Sequence, residues 1–237
     1  MSKSILTRRT IIIGDVHGCA DELAKLVEAC GYKKGQDRLL QTGDLINRGP
    51  KSFEAWVLAK ELGMESVLGN HELHLVRFEA GQPVYKKWIQ GIKDQFGKHY
   101  PAYLADIRQW PLWIEEEDFL LVHAGLVPGK SLGETDPKQL TSIRTWDGMG
   151  SDLDNENNPP WFDFYHQEKL VVFGHWAKLE GVVRPNVIGL DSGCVYGKKL
   201  TALILPEREL VSVPAARVYR DIVNPDPDPT TENNSLN

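Results

Sequence analysis

The sequence predicts an α/β fold in which a parallel sheet is covered by helices. Short apolar runs bounded by glycine alternate with segments whose apolar residues recur at helical spacing. The order strand, loop, helix repeats along the first third of the chain, and it is typical of parallel strands joined by right-handed crossovers. A length of 237 residues suits one large domain better than two small ones.

The first strand is predicted over residues 10–13, where Thr10 is followed by three isoleucines. Such a short β-branched run favours a buried strand. A helix is predicted over residues 19–30, because apolar residues recur there three and four positions apart, and Gly31 is suited to ending it.

The second strand–helix unit follows the same pattern. Residues 38–42 are predicted to form strand two, and Pro50 is expected to open the next helix at its first position. Gly63 is expected to end that helix, and residues 65–68 are predicted as strand three.

The second half of the chain is less regular. Residues 72–107 are polar and rich in aromatic residues, and we interpret them as helices that form a cap or lid. Strands are predicted at 119–122 and 169–173, with a loop-rich stretch at 131–160 between them. Closing strands in antiparallel, hairpin-like pairs are predicted at 187–190, 200–205 and 210–213.

The predicted domain covers residues 10–215, with an N-terminal extension at 1–9 and a C-terminal tail at 216–237. No interior linker rich in glycine, proline or serine divides the domain. After residue 223 the tail is polar, rich in proline and nearly free of apolar residues, so we expect disorder there.

Composition limits the classes of partner. The formal net charge is −6 and no basic stretch is present, so stable nucleic-acid binding is not expected. The three cysteines, Cys19, Cys30 and Cys194, contain no CxxC pair, which argues against a disulfide framework or a thiolate zinc site. Neither a signal peptide nor a long apolar run is recognisable, so a cytoplasmic location without membrane association is expected.

Five predicted strands end in polar residues beside glycine, in the segments IIIGDVHG, LLQTGDLINRG, ESVLGNHE, FLLVHAG and LVVFGH. Ligands of open α/β sheets bind at the carboxyl ends of the strands, so these polar side chains are expected to meet at one edge. They are Asp15, His17, Asp44, Asn70, His71, His123 and His175.

This set provides oxygen and nitrogen donors without a thiolate, a mixture that suits Mn²⁺, Fe²⁺ or Zn²⁺. Six donors are too many for one tetrahedral zinc ion, but they suit two ions that share a bridging carboxylate. Paired ions of this kind activate a hydroxide and stabilise in-line displacement at phosphorus. Two divalent ions beside two aspartates would leave roughly two net positive charges, which explains how an acidic protein holds a phosphate.

The ordered motifs GDVHG, GDLINRG, GNHE, HAG and GH resemble those of the calcineurin-like metallophosphoesterases. The match is best to the branch that contains PPP-type protein serine/threonine phosphatases and symmetrical diadenosine tetraphosphatases, and it covers residues 10–213. The resemblance implies a four-layer α/β/β/α sandwich of two mixed sheets flanked by helices.

The resemblance also implies the roles of the site residues. One metal would be held by Asp15, His17 and the bridging Asp44, and the other by Asp44, Asn70, His123 and His175. Mn²⁺ is expected, with Fe, Zn, Co or Ni as alternatives. A metal-bridging hydroxide would attack phosphorus, His71 would protonate the leaving oxygen as the general acid, and Arg48 would bind the phosphoryl oxygens.

The segments FGHWAKLEG and IGLDSGCVYGKKLTAL are similar to bacterial diadenosine tetraphosphatases. They favour a hydrolase of phosphoanhydrides that cleaves diadenosine tetraphosphate symmetrically to two ADP. A PPP-type protein serine/threonine phosphatase or a broad phosphomonoesterase stays open, as do capped RNA and other polyphosphates as substrates. The expected partner is therefore a phosphorylated small molecule or a phosphoprotein; a non-catalytic binding module is disfavoured, because every metal and acid position is retained.

Three further residues are candidates for the site. The PPP-type motif GDxxDRG has Asp where this chain has Asn47, and that Asp pairs with the GNHE histidine. Because an amide lacks the charge of a carboxylate, His71 is hypothesised to be a less basic acid here, suited to a good leaving group. Arg144 is a candidate phosphate contact, and Tyr196 could stack on a base or simply pack.

Overall fold

A computed structural model describes residues 8–83 and 86–221 of the chain. The strands are β1 (Thr10–Ile13), β2 (Arg38–Gln41), β3 (Glu65–Ser66), β4 (Trp113–Glu115), β5 (Phe119–Val122), β6 (Leu170–Phe173), β7 (Val182–Arg184), β8 (Val187–Gly189), β9 (Lys199–Leu205) and β10 (Glu209–Pro214). The helices are α1 (Ala20–Ala29), α2 (Ser52–Leu62), α3 (Asn70–Glu79), α4 (Lys86–Phe96), α5 (Tyr100–Ile107) and α6 (Pro137–Ser142). Within these residues, none of the helices is long and apolar enough to cross a membrane.

The strands form two five-stranded mixed sheets. The first has the order β10-β9-β1-β2-β3, and the second has the order β4-β5-β6-β8-β7. In the first sheet β1, β2 and β3 are parallel and β9 runs antiparallel to β1. In the second sheet β5, β6 and β8 are parallel, and the edge strands β4 and β7 are antiparallel.

Alternation along the strands divides the core into layers, because successive side chains of a strand point to opposite faces. On β1, Ile11 and Ile13 pack against the helices, whereas Ile12 packs against the second sheet. On β5, Leu121 faces the first sheet and Leu120 faces outward.

The outermost core layer covers the second sheet with α6 and a short 3₁₀ turn (Trp161–Phe164). Leu140 and Trp161 of these segments are buried against β5 and β6. The order of layers is thus helix, sheet, sheet, helix, and the predicted four-layer sandwich of two mixed sheets flanked by helices is confirmed.

Two details of the predicted elements are wrong. Helix α2 begins at Ser52, not at Pro50, because Lys51 is the non-helical residue before it. The Ser52 hydroxyl accepts a hydrogen bond of 3.1 Å from the backbone N–H of Asn47, which fixes the loop in front of the helix. Strand β8 pairs in parallel with β6, so only its contact with β7 matches the antiparallel arrangement predicted for the closing strands.

Helices α3, α4 and α5 cover most of the described part of residues 72–107, as predicted. These helices contribute to the main core: Ile92, Phe96 and Tyr103 are almost completely buried there. The region thus packs against α2, with Gln95 accepting from the backbone N–H of Ser52 at 3.0 Å and Asp106 accepting from the Trp56 side chain at 2.8 Å. That it closes over a substrate as a lid stays a prediction.

The C-terminal segment follows β10 back to the edge of the first sheet. Ala216 donates its backbone N–H to Glu22 Oε1 at 2.9 Å, and the Tyr219 hydroxyl donates to the same atom at 2.8 Å. Residues 216–221 of the predicted tail therefore pack on α1. The disorder predicted after residue 223 lies outside the described residues.

Candidate metal centre and active site

Asp44 lies where the strand ends converge. It follows β2 and is almost completely buried. Its Oδ2 atom lies 3.7 Å from His17 Nε2, 3.8 Å from His71 Nε2 and 3.5 Å from His123 Nε2. Because His17 follows β1 and His123 follows β5, this carboxylate contacts donors from both sheets.

Two groups of possible metal ligands share this carboxylate. His17, Asp44 and His71 form the first group, and Asp44, His123 and His175 form the second. Within each group, one ligand atom from every residue lies within 4.8 Å of the others. Asp44 thus occupies the position that a bridging ligand between two ions requires.

Asp15 lies beside these groups but belongs to neither of them. Its Oδ1 atom accepts a hydrogen bond of 2.7 Å from Thr42 Oγ1, and its Oδ2 atom accepts one of 2.8 Å from the backbone N–H of His175. Burial raises its pKa well above the usual value, and the nearby carboxylates of Asp191 and Asp44 raise it further. Its role as a ligand stays a prediction.

Backbone carbonyls orient two of the imidazole rings. His17 Nδ1 lies 3.1 Å from the carbonyl oxygen of Ile46, and His123 Nδ1 lies 2.7 Å from that of Thr42. A neutral ring that donates its Nδ1–H to a carbonyl keeps the lone pair on Nε2, which is the arrangement of a metal-binding histidine. In both residues this lone pair is on the nitrogen nearest to Asp44.

Asn70 and His175 lie on the side of His123. The Asn70 amide oxygen is 3.0 Å from His123 Nε2 and 3.1 Å from His175 Nδ1. Asn70 is brought there because it is the first residue of α3, directly after the loop that follows β3. An amide oxygen and two imidazole nitrogens thus converge beside the shared carboxylate.

The donor set fits divalent cations. Burial lowers the pKa of His123 to about 4 and raises that of Asp44 to about 7. His71 Nε2 and His175 Nε2 are buried polar atoms without a hydrogen-bond partner among the described residues. Neutral imidazoles, carboxylates and an amide oxygen suit Mn²⁺, Fe²⁺ or Zn²⁺, and a cation would satisfy the unpaired His175 nitrogen and favour the carboxylates.

The loops of the site adopt unusual backbone conformations. Seven non-glycine residues have positive φ within the described ranges, and five of them lie in these loops: His17, Asp44, Asn47, Arg48 and His175. Left-handed backbone is unfavourable for side-chain-bearing residues and is concentrated at functional sites. At Gly174 a Cβ atom would lie 1.9 Å from Asp15 Oδ1, so only glycine fits there.

His71 lies between the shared carboxylate and an aromatic wall. Its Nδ1 atom is 2.8 Å from Asn47 Nδ2, and its ring centroid is 5.4 Å from that of Trp88 in α4. With the amide nitrogen as donor, the single proton of a neutral ring lies on Nε2. Burial lowers the pKa of His71 well below the usual value, and the Arg48 charge adds to this.

The other predicted contacts lie around the centre. Arg48 Nη1 is 3.0 Å from His17 Nε2, and the guanidinium carbon lies 5.7 Å from the centroid of the Tyr196 ring. Arg144 pairs with Asp154 at 2.6 Å, while its Nε atom is buried without a hydrogen-bond partner in the described part of the chain. Burial lowers the pKa of His175 well below the usual value, and the Arg144 charge adds to this.

Two buried carboxylates of the site were not among the predicted residues. Glu72 accepts hydrogen bonds of 3.0 Å from the backbone N–H groups of Asp44 and Leu45, and so fixes the loop that carries the shared carboxylate. Asp191 follows β8, and its charge contributes to the raised pKa of Asp15. The signals were present: Glu72 ends GNHE, and Asp191 is the first polar residue of LDSGC, directly after the strand predicted at 187–190.

Comparisons with known proteins agree with this geometry. The family model for the calcineurin-like phosphoesterases matches residues 8–198. A symmetrical bis(5′-nucleosyl)-tetraphosphatase of Vibrio parahaemolyticus is 30% identical over 85% of this chain and 97% of its own length. The enzyme of that name from Dechloromonas aromatica is 31% identical over 86% of this chain and 95% of its own length.

Solved structures show the same fold. A protein assigned as a diadenosine tetraphosphatase superposes with a TM-score of 0.79 at 33% identity, over 89% of this chain and 95% of that one. A protein serine/threonine phosphatase from Saccharomyces cerevisiae superposes with a TM-score of 0.63 at 16% identity, over 96% of this chain and 84% of that one. The second likeness concerns the fold alone. With its paired donor groups, this chain belongs to the calcineurin-like phosphoesterase family and is a metal-dependent phosphohydrolase.

Proposed function

We propose that this enzyme hydrolyses dinucleoside polyphosphates and cleaves diadenosine tetraphosphate symmetrically to two ADP. The observation that carries the proposal is the pair of donor groups that share Asp44, with Arg48 at their edge. The similarity to enzymes named for the symmetrical reaction supports the substrate, since it extends over 97% of the Vibrio parahaemolyticus enzyme.

The metal assignment is part of the proposal. One ion would be held by Asp15, His17 and Asp44, and the other by Asp44, Asn70, His123 and His175. Mn²⁺ is the proposed metal; donors that are nitrogen and oxygen atoms only suit it, as they also suit Fe²⁺ and Zn²⁺. When bound, the two ions would supply a hydroxide nucleophile at neutral pH and positive charge opposite the phosphoryl oxygens.

The chain's own groups bind the phosphate and assist the leaving group. Arg48 would bind the non-bridging oxygens, because a planar guanidinium matches phosphate in a bidentate manner. His71 would act in its imidazolium form: it would donate the Nε2 proton to the bridging oxygen of the departing ADP and return to the neutral ring. Asn47 would hold the ring at Nδ1, with its amide oxygen accepting the Nδ1–H of the charged form after a flip of the amide. Arg144 would contact a phosphate through its unpaired Nε–H. The Tyr196 ring would keep Arg48 in position, since the guanidinium carbon lies over that ring.

Product analysis tests the substrate. The purified protein is loaded with Mn²⁺ and incubated with diadenosine tetraphosphate, and the nucleotides are separated by ion-exchange chromatography. ADP as the sole product is expected. ATP and AMP together would contradict symmetrical cleavage, because they require attack at an outer phosphorus.

A phosphomonoesterase, including one of the PPP type, is the second candidate. The NRG motif favours it, because Arg48 has the place of the arginine in the GDxxDRG motif of those phosphatases. Hydrolysis of p-nitrophenyl phosphate without turnover of the tetraphosphate, in one buffer, would establish this candidate. Phosphoproteins would then be the first substrates to examine.

A further inference from the structure

A cavity of about 210 Å³ opens beside the metal centre, on the side of the C-terminal segment. It is lined by Arg48, Gly49, Pro50, Arg217, Val218 and Tyr219. Arg48 connects the cavity to the centre, because its Nη1 atom lies 3.0 Å from His17 Nε2. Two arginines therefore line one small space next to the place where a phosphate would react.

Arg217 is held in position although it is exposed. Its guanidinium carbon lies 5.2 Å from the centroid of the Tyr219 ring. The hydroxyl of Tyr219 donates to the buried Glu22, and its backbone N–H donates to the Val195 carbonyl at 3.0 Å. Arg48 rests on Tyr196, the residue that follows Val195, so neighbouring aromatic rings support both arginines.

The cavity has no anion of its own for these cations. Within the described residues, neither Arg48 nor Arg217 forms an ion pair with a carboxylate, whereas Arg9, Arg38 and Arg184 each do. Two unpaired guanidinium groups in one space repel each other and bind an anion with charge-assisted hydrogen bonds. Phosphate oxygens match their planar donors.

We propose that Arg217 and Arg48 form a second phosphate subsite, which binds the phosphate next to the scissile one. The site would then favour a chain of phosphates over a single phosphomonoester. This inference deepens the proposed function and rests on it for the position of the reacting phosphate. It assigns a role in specificity to Arg217, which comes from the segment after the last strand.

Competitive inhibition of p-nitrophenyl phosphate hydrolysis tests the subsite with ligands of different length. The inhibitors are inorganic phosphate, α,β-methylene-ADP and β,γ-methylene-ATP, with Mn²⁺ in excess. In Arg217→Gln, affinity for the two methylene nucleotides should fall about tenfold more than affinity for inorganic phosphate, since one charge-assisted contact is lost. Arg217→Lys should recover part of the loss.

Arg208→Gln is the matched control. Arg208 lies at the turn between β9 and β10, at the opposite end of the first sheet, and donates to the Pro185 carbonyl. The three ligands should therefore inhibit this variant as strongly as they inhibit the unmodified enzyme. Isothermal titration calorimetry measures the affinity of each metal-free protein for β,γ-methylene-ATP without turnover. The unmodified protein and Arg208→Gln should bind it most tightly, Arg217→Lys less tightly and Arg217→Gln least tightly. An equal loss for all three inhibitors, or no loss, would overturn the subsite.

The outcome is separable from that of the proposed function. If the unmodified enzyme does not cleave diadenosine tetraphosphate but Arg217→Gln loses discrimination by chain length, the subsite stands and the substrate proposal fails. If the tetraphosphate is cleaved and the variant discriminates like the unmodified enzyme, only the subsite fails.

Discussion

At the scale of single residues, Asp44 connects the two donor groups of the centre, with one oxygen within 3.8 Å of three imidazole nitrogens. Asp44→Asn should lower the metal content below two ions per chain and reduce hydrolysis at least ~100-fold, because the ions supply several kcal/mol of transition-state stabilisation. Inductively coupled plasma mass spectrometry and the rate on p-nitrophenyl phosphate measure both effects. Asp21→Asn is the control, since Asp21 is exposed and paired with Lys51. Retention of two ions in Asp44→Asn would contradict the bridge.

The amide of Asn47 makes a second prediction at this scale. Asn47→Asp would place a negative charge beside His71 Nδ1, which favours the protonated ring. A stronger general acid helps poor leaving groups most, so the rate on phenyl phosphate should rise roughly tenfold relative to that on p-nitrophenyl phosphate. An unchanged ratio of the two rates would show that the departure from the GDxxDRG motif has no effect on proton donation.

At the scale of elements, close packing between strand ends fixes the site. Gly174, directly after β6, leaves no room for a Cβ atom beside Asp15 and Thr42. Gly174→Ala should therefore cost roughly 1–3 kcal/mol of stability and displace the Asp15 carboxylate, with loss of activity. Thermal unfolding and the rate on p-nitrophenyl phosphate test this.

Gly91, in α4, is a glycine whose replacement by alanine should stabilise the protein, in contrast to Gly174. It lies on the exposed face of α4, and a Cβ atom there would meet nothing within 4 Å. Gly91→Ala should stabilise the protein by roughly 0.5–1 kcal/mol, because alanine loses less backbone entropy in a helix. Destabilisation by both glycine variants would indicate a general intolerance of substitution, and not the specific clash at Gly174.

The elements that sequence could predict are those with a strong local signal. The bounds of β1 and β5 agree with the predicted residues, because each is a short, fully buried run next to a turn. Strands β4 and β7 were not predicted; each has three residues and is an edge strand defined by its pairing with a neighbour. The start of α2 also depends on a tertiary contact, the bond from the Ser52 N–H to the Gln95 side chain.

At the scale of the whole molecule, the sequence indicates which strand ends carry polar residues but not how the two sheets face each other. The pairing of Asn70 with His123 and His175 joins residues up to 105 positions apart, a relation that no local pattern contains. The positions of Trp88 and Arg217 beside the centre likewise follow from the packing of α4 and of the C-terminal segment. The sequence therefore predicts the chemistry of the centre better than the residues that surround it.

Metal binding should couple to the stability of the whole domain in a pH-dependent way. Burial raises the pKa of Asp44 and of Glu72 to about 7 in the folded protein. Between the ordinary carboxyl pKa of the unfolded chain and this value, each group binds more protons in the folded state than in the unfolded one. Their contribution to the stability of the metal-free protein is lost as pH rises through about 7. His123, with a pKa of about 4, acts in the opposite direction only below about pH 6.5.

A bound cation favours the charged carboxylates, so the increase in Tm on adding Mn²⁺ should be larger at about pH 8 than at about pH 6.5. At a hundredfold excess over Kd the gain is about 2.7 kcal/mol, or roughly 5–10 °C for a chain of this size. Differential scanning calorimetry of the metal-free and loaded protein measures it. A gain that is independent of pH would argue against ionised Asp44 as a ligand.

The most direct test of the central claim, that Asp44 bridges two ions, is electron paramagnetic resonance of the protein loaded with Mn²⁺. Two ions sharing a carboxylate at roughly 3.5–4 Å are coupled, so the spectrum of an exchange-coupled pair is expected at two ions per chain. In Asp44→Asn that coupling should disappear. A spectrum of isolated Mn²⁺ at full occupancy, or saturation at one ion per chain, would contradict the dinuclear centre.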